Sequence, residues 1–221
     1  MIQFHQGSFL FSLADSKQIQ VALGRCAIEG STTEGQRFSV PLMLDSPQIH
    51  IEEHGENALT YQGEDKVYGI CWNVEFIEEN VPLCIKWRIE VANSSSSAIF
   101  IRKIVMLDQN ELEGKSISFG SPTKIEDLRF YSNGWQSWST TGAFRPGSRM
   151  RRSNLGFLQN PMVVNPDTPA FRQRGLFSSD FFSLVVDKGS NSGFVLGFLS
   201  QRQHFGSISA DFRETARLQV W

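Results

Sequence analysis

Leu83-Cys84-Ile85-Lys86-Trp87-Arg88-Ile89-Glu90-Val91 alternates without a break. Leu83, Ile85, Trp87, Ile89 and Val91 fall on one side and Cys84, Lys86, Arg88 and Glu90 on the other, which is the period of a strand with one buried face. The run stops at Asn93-Ser94-Ser95-Ser96-Ser97, a polar tract with nothing to pack, and a second apolar stretch runs from Ala98 to Leu107. The pair is expected to form a hairpin.

Outward from this stretch, short apolar runs recur between turn signals: 8–13, 19–23, 38–44, 48–52, 66–76, 125–131, 181–187, 194–199 and 216–221. Short strands without intervening helical periodicity predict an all-β fold, here a large two-sheet antiparallel β-sandwich (a supersandwich) with few short helical turns. Thr140 to Gly175 breaks the rhythm with Pro146, Pro161, Pro166 and Pro169 and the basic run Arg149-Met150-Arg151-Arg152. A connection of that length is functional or disordered, and the helical turns are expected inside it. No repeat or linker divides the chain, so residues 1–221 are expected to form a single domain. The final Ala216-Arg217-Leu218-Gln219-Val220-Trp221 alternates to its last residue with no polar tail, so the chain reads as the first part of something longer.

A chain of 221 residues can close a sizeable core without disulfides or metals. Its 40% hydrophobic and 20% charged residues are ordinary for a globular protein and indicate neither a disordered chain nor a coiled coil. The 18 phenylalanines lean toward strands and toward flat surfaces that suit sugar rings. A net charge of -2 supplies no basic stripe, which argues against nucleic acid and against an anionic membrane as partners. Cys26, Cys71 and Cys84 are odd in number and sit in strand-like apolar stretches, which reads as reduced, buried thiols. Met1-Ile2-Gln3-Phe4-His5 has no leader character and no apolar run approaches about eighteen residues, so a cytoplasmic location is expected. In that setting Asn93-Ser94-Ser95 is a turn and not a glycosylation acceptor.

The sharpest enzyme-like motif is His50-Ile51-Glu52-Glu53-His54, which fits the H-x-x-E-H pattern of inverted zinc proteases. That chemistry needs a helix to bring both imidazoles to one face. Pro47, the alternation of Ile49 and Ile51, and Gly55 oppose one, so a strand running into a turn is expected and no metal is assigned. Glu52-Glu53, Glu64-Asp65 and Glu78-Glu79 are consecutive pairs beside turns, which reads as solvated edges and not as a catalytic pair across a cleft. With no G-x-S-x-G, phosphate-binding glycine loop or Cys–His pairing, no catalytic residue and no cofactor is assigned.

Tyr131-Ser132-Asn133-Gly134-Trp135-Gln136-Ser137-Trp138-Ser139-Thr140-Thr141-Gly142 is the stretch with the chemistry of a sugar site. An indole face packs on the apolar face of a pyranose, and amides and hydroxyls supply fixed donors and acceptors. Two readings stay open on the residues alone: a sugar-facing loop, or core tryptophans at a sandwich corner with Asn133-Gly134 as the turn.

Ser132-Asn133-Gly134-Trp135-Gln136-Ser137-Trp138 resembles the N-G-W-Q-S-W signature in the N-terminal domain of family thirty-six α-galactosidases, the melibiases. Ser179-Asp180-Phe181-Phe182, then Gly193-Phe194-Val195-Leu196-Gly197-Phe198-Leu199-Ser200 and His204-Phe205-Gly206, is similar to a second segment of that domain in the same order. The resemblance covers the second half of the chain. It implies a β-sandwich packed on its own catalytic (β/α)8 barrel, whose two aspartates hydrolyse terminal α-galactosides with retention. Neither aspartate is assignable here, so the chain alone is expected to be inactive. The resemblance implies that Trp138 reaches the galactose pocket, that Trp135, Asn133 and Gln136 shape its loop, and that Asp180 belongs to the substrate-binding set. The chain is shorter than the domain of the long tetrameric members, and a homo-oligomer stays an expectation. Competing readings are a free-standing lectin-like carbohydrate-binding module, a packing domain without sugar contact, and a mutarotase-like epimerase, for which only His204 is a candidate.

Overall fold

A computed structural model describes residues 2–5, 7–12, 18–45, 47–51, 57–80, 83–110, 112, 116–120, 123–134, 139–151, 173–200 and 205–221. The strands in chain order are β1 (Ile2–His5), β2 (Ser8–Ser12), β3 (Gln18–Ala22), β4 (Ala27–Thr32), β5 (Arg37–Pro41) and β6 (Gln48–Ile51). Next come β7 (Asn57–Asp65), β8 (Ile70–Asn80), β9 (Leu83–Asn93), β10 (Ile99–Val105), β11 (Leu107–Asp108) and β12 (Ile117–Ser118). A 3-10 turn at Ile125–Asp127 precedes β13 (Leu128–Ser132), β14 (Gly142–Phe144), β15 (Leu176–Ser179), β16 (Phe182–Asp187), β17 (Ser192–Gly197), β18 (Ile208–Asp211) and β19 (Arg217–Val220). The fold is all-β, as the alternation predicts. The one helical turn among the described residues lies ahead of the Thr140–Gly175 connection, where such turns were expected. Residues 152–172 of that connection lie outside the described residues.

Hydrogen bonding draws five small antiparallel sheets where two large ones are expected. Their orders are β1-β2-β3-β12, β10-β4-β5, β11-β19-β18-β15, β14-β13-β16-β17 and β6-β7-β8-β9. Gly24 shows why one strand cannot simply run on into the next. Its φ of +63° is left-handed, and a Cβ there would lie 1.9 Å from the Asp108 carbonyl oxygen. The chain therefore turns between β3 and β4 with β11 against it: Arg25 N donates to Asp108 O at 2.9 Å and Asp108 N to Leu23 O at 3.1 Å.

The expected hairpin of β9 with the following strand is a second correction. β9 pairs with β8 from Ile70↔Asn93 to Asn80↔Leu83, whereas β10 pairs with β4. The inward residues of β9 meet apolar partners on β8, with Val91 opposite Trp72, Ile89 opposite Val74 and Trp87 opposite Phe76. The serine tract is a crossing between sheets. Ser94 N donates to Gly69 O at 2.8 Å and the Asn93 side chain donates to Ser97 O at 2.8 Å, which fixes the turn.

One hydrophobic cluster draws residues from all five sheets, including Phe9, Ile28, Val74, Val185 and Leu218. The phenylalanines concentrate at two places. Phe4, Phe9, Tyr61 and Phe76 pack edge and face with centroids 5.1–5.9 Å apart. Phe177 contacts Phe130 at 5.7 Å, Phe144 at 5.5 Å and Phe212 at 5.9 Å. Cys26, Cys71 and Cys84 form no disulfide, but only Cys26 is buried; Cys71 and Cys84 are half-buried, against the expectation that all three are interior. The Cys26 thiol donates to Met106 O at 3.0 Å, and burial pushes it up to about 12.

Candidate functional site

β13 alternates Leu128, Phe130 and Ser132 inward with Arg129 and Tyr131 outward, so the strand delivers a buried hydroxyl to the point where it ends. Ser132 Oγ donates to Ser178 O on β15 at 2.7 Å. Asn133 N donates to Ser179 Oγ at 2.8 Å, and the Asp180 amide donates to Asn133 O at 3.0 Å. Ser179 Oγ reaches both Asn133 O, at 3.2 Å, and Phe182 O. These bonds clasp Ser132-Asn133 to Ser178-Ser179-Asp180 across two different sheets. Ser132, Ser139, Ser178, Ser179, Asp180 and Ser183 are all buried. Small hydroxyls suit this place because each fills little volume and bonds a neighbouring carbonyl or amide.

The clasp brings together Asn133 and Asp180, the two sequence-assigned site residues that lie among the described residues. Asn133 is half-buried and Asp180 is 4% exposed. Trp135, Gln136 and Trp138 lie outside the described residues, and so does His204. The residues flanking the tryptophan segment lie against each other: a Cβ on Gly134 would fall 2.3 Å from Ser139 Cβ, and Gly134 N donates to Thr141 Oγ1 at 3.0 Å. Glycine at 134 is therefore a requirement of close approach.

The two ends of the long connection are pinned at the start of β15, the other end of that strand from Ser179. Gly175 N donates to Ser148 O at 3.0 Å and Arg174 donates to Gly147 O at 3.0 Å. Arg213 holds Asp211 with two bonds, at 2.9 Å and 2.6 Å, and reaches Gln173 at 2.7 Å. Burial works to raise the Asp211 carboxyl, but the hydrogen bonds and charge of Arg213 outweigh it and hold the carboxyl below its ordinary range.

Sequence reasoning missed the serine partners and the outer face of the same sheet. β16 buries Ser183, Val185 and Asp187 and turns Phe182, Leu184 and Val186 outward. Leu184 sits between Tyr131 and Val195, and Phe182 stacks on Tyr131 with centroids 5.8 Å apart. Phe182 is 39% exposed, Val195 65% and the adjoining Leu199 84%. An antiparallel sheet facing water ordinarily turns polar residues outward. Apart from Arg129 opposite Val186, the outward residues of β13 and β16 are apolar, as on surfaces that meet a partner. The signal was present in Phe181-Phe182-Ser183-Leu184-Val185-Val186, which is apolar on both sides of the strand.

His50 lies in β6, the strand expected in place of a zinc-binding helix, while Glu52, Glu53 and His54 lie outside the described residues. Among the described residues no group of three or more His, Cys, Asp or Glu side chains is placed to hold a metal ion, and no helix is long and apolar enough to cross a membrane. No protein-family model matches the chain, and no curated protein matches it.

Proposed function

We propose that this chain is the N-terminal β-sandwich accessory domain of an α-galactosidase-like retaining glycoside hydrolase, built to pack on a catalytic barrel and to present the Asn133–Trp138 loop to a galactoside. The observation that carries this reading is the clasp. The two segments that resemble the melibiase domain lie 46 residues apart in sequence yet are joined by the Asn133 N–Ser179 Oγ bond, as parts of one site must be. The apolar outer face of the sheet holding β13 and β16 supports it further, because a domain that docks on a barrel needs an exposed apolar surface of this kind. On this reading Trp138 lends a ring face to the sugar, Asn133, Trp135, Gln136 and Asp180 hold the loop, and the paired carboxylates of hydrolysis come from the barrel. The finer architecture, two sheet layers assembled from the five hydrogen-bonded sheets around the shared core, belongs to the same proposal.

The test is hydrolysis of a nitrophenyl α-galactoside by the complete gene product and by the 221-residue chain alone. Turnover by the complete product and none by the chain is the expected result. Turnover by the chain itself, or by neither, overturns the reading.

A further inference from the structure

At the far ends of β4, β7 and β9 three turns stand side by side and enclose a groove of about 470 Å3. Its walls include Thr32, Glu34 and Gln36 from the first turn, Glu64, Lys66 and Tyr68 from the second, and serines 94, 95 and 97 from the third. It shares no residue with the clasp around Asn133 and Asp180.

The turns are fixed before any ligand arrives. Thr32 N donates to Gln36 O at 2.9 Å and Gly35 N to Thr32 O at 3.0 Å, closing the first turn. Tyr68 N donates to Asp65 Oδ1 at 2.9 Å, closing the second. In the third, Ser95 N and Oγ both donate to Asn93 Oδ1, at 3.0 Å and 2.8 Å. The second and third turns touch, since a Cβ on Gly69 would fall 2.5 Å from Ser95 Cβ. The Tyr68 ring is held by stacking on buried Phe38 at 4.6 Å. One face of the ring is taken by Phe38, and the half-buried Tyr68 side chain also lines the groove.

The lining narrows the ligand class. Hydroxyls, an amide and carboxylates share it with Val67, Ala98 and Ile99, so a purely aliphatic ligand would leave the polar groups unpaired. Glu34 and Glu64 outnumber Lys66, which disfavours an anion. A divalent cation would want more carboxylate oxygens than two glutamates supply, and Asp65 Oδ1 already accepts the Tyr68 amide. Ser94 Oγ donates to Glu64 and Ser95 Oγ to Asn93, so a neutral polyhydroxylated ligand matches what remains: hydroxyl pairs for the carboxylates and the Gln36 amide, and apolar C–H faces for Tyr68, Val67 and Ile99. We propose that this groove is a binding site for a neutral oligosaccharide, separate from the Asn133–Asp180 region and independent of the activity assigned above.

Amide chemical-shift mapping of the isotope-labelled chain tests it, with raffinose and with maltotriose as probes at several millimolar. Expected are saturable shifts confined to residues 32–36, 64–69 and 94–99 with at least one of the two sugars. Tyr68→Ala is expected to weaken that binding by several-fold to about tenfold, the loss of one stacked ring. Because Tyr68 also packs on Phe38, Gln36→Ala on an exposed turn is the second variant, expected to weaken binding several-fold with the melting temperature unchanged. Absence of shifts with both sugars overturns the proposal. So do shifts that appear only around Asn133 and Asp180, or shifts at the groove produced by calcium chloride and by neither sugar.

Discussion

Replacing Ser179 with alanine removes the hydroxyl at the centre of the clasp and leaves the side-chain volume almost unchanged. Ser179 is 2% exposed, and its oxygen accepts the Asn133 amide at 2.8 Å while its single proton goes to Asn133 O or Phe182 O. Asn133 O keeps a second donor, the Asp180 amide at 3.0 Å, so its loss is modest. The Asn133 amide loses the partner that satisfies it, and stranding a buried donor costs about 1–3 kcal/mol. Adding a donated bond worth about 0.5–1.5 kcal/mol, and allowing for the half-exposure of Asn133, we expect Ser179→Ala to destabilise the chain by about 1.5–3 kcal/mol. For a chain of this size that lowers the melting temperature by roughly 3–12 °C. The assay is urea unfolding followed by tryptophan fluorescence, with Ser183→Ala and Ser95→Ala as comparisons. Ser183 Oγ only donates, to Tyr131 O at 2.9 Å, so its removal strands no donor and should cost about 0.5–1.5 kcal/mol. Ser95 is on an exposed turn and should cost about 0.5 kcal/mol or less. If Ser179→Ala is no worse than Ser95→Ala, the clasp does not hold the two segments together and the argument for one site fails with it.

Phe177 is fully buried among Phe130, Phe144 and Phe212, so Phe177→Ala should cost about 3–5 kcal/mol by urea unfolding, and Phe177→Leu clearly less. A thiol reagent at neutral pH should label half-buried Cys71 and Cys84 and spare Cys26 until the chain unfolds, read by mass spectrometry of the digested protein. Because the Cys26 thiol is raised from 9.0 to about 12 in the fold, the unfolded chain loses its proton first. Stability should therefore be unaffected by this group below pH 9 and fall by up to about 1.4 kcal/mol per pH unit between the two values, a slope that Cys26→Ala should flatten. Asp211 has the opposite sign: its folded carboxyl is held low by Arg213, so its contribution is complete above about pH 4 and lost as pH falls through the lower folded value. Asp211→Asn should remove that part of the acid dependence in unfolding curves measured from neutral pH downward.

Alternation and short apolar runs between turn signals determined that the chain is built of strands and, along Leu83–Val91, which residues turn inward, because period two is a local property of an extended backbone. The fourfold serine tract likewise announced a turn. Asn133 stands out in the sequence as an amide in an aromatic, hydroxyl-rich stretch, whereas Asp180 is marked only by the resemblance of its segment to a known domain. Partner choice lies beyond that reading. Many apolar strands could face Val91, Ile89 and Trp87 equally well, and β8 wins over β10 because the Ser94–Gly69 tie and the bond-fixed turn carry the chain into another sheet. The division into five sheets follows from crossings such as Gly24, where the approach of the Asp108 carbonyl, set by a residue far along the chain, leaves no room for a Cβ. The clasp of Asn133 to Ser179 is of the same kind, a pairing 46 residues apart that exists only because β13 and β15 meet over a shared core, and no local pattern encodes which buried serine will answer which amide.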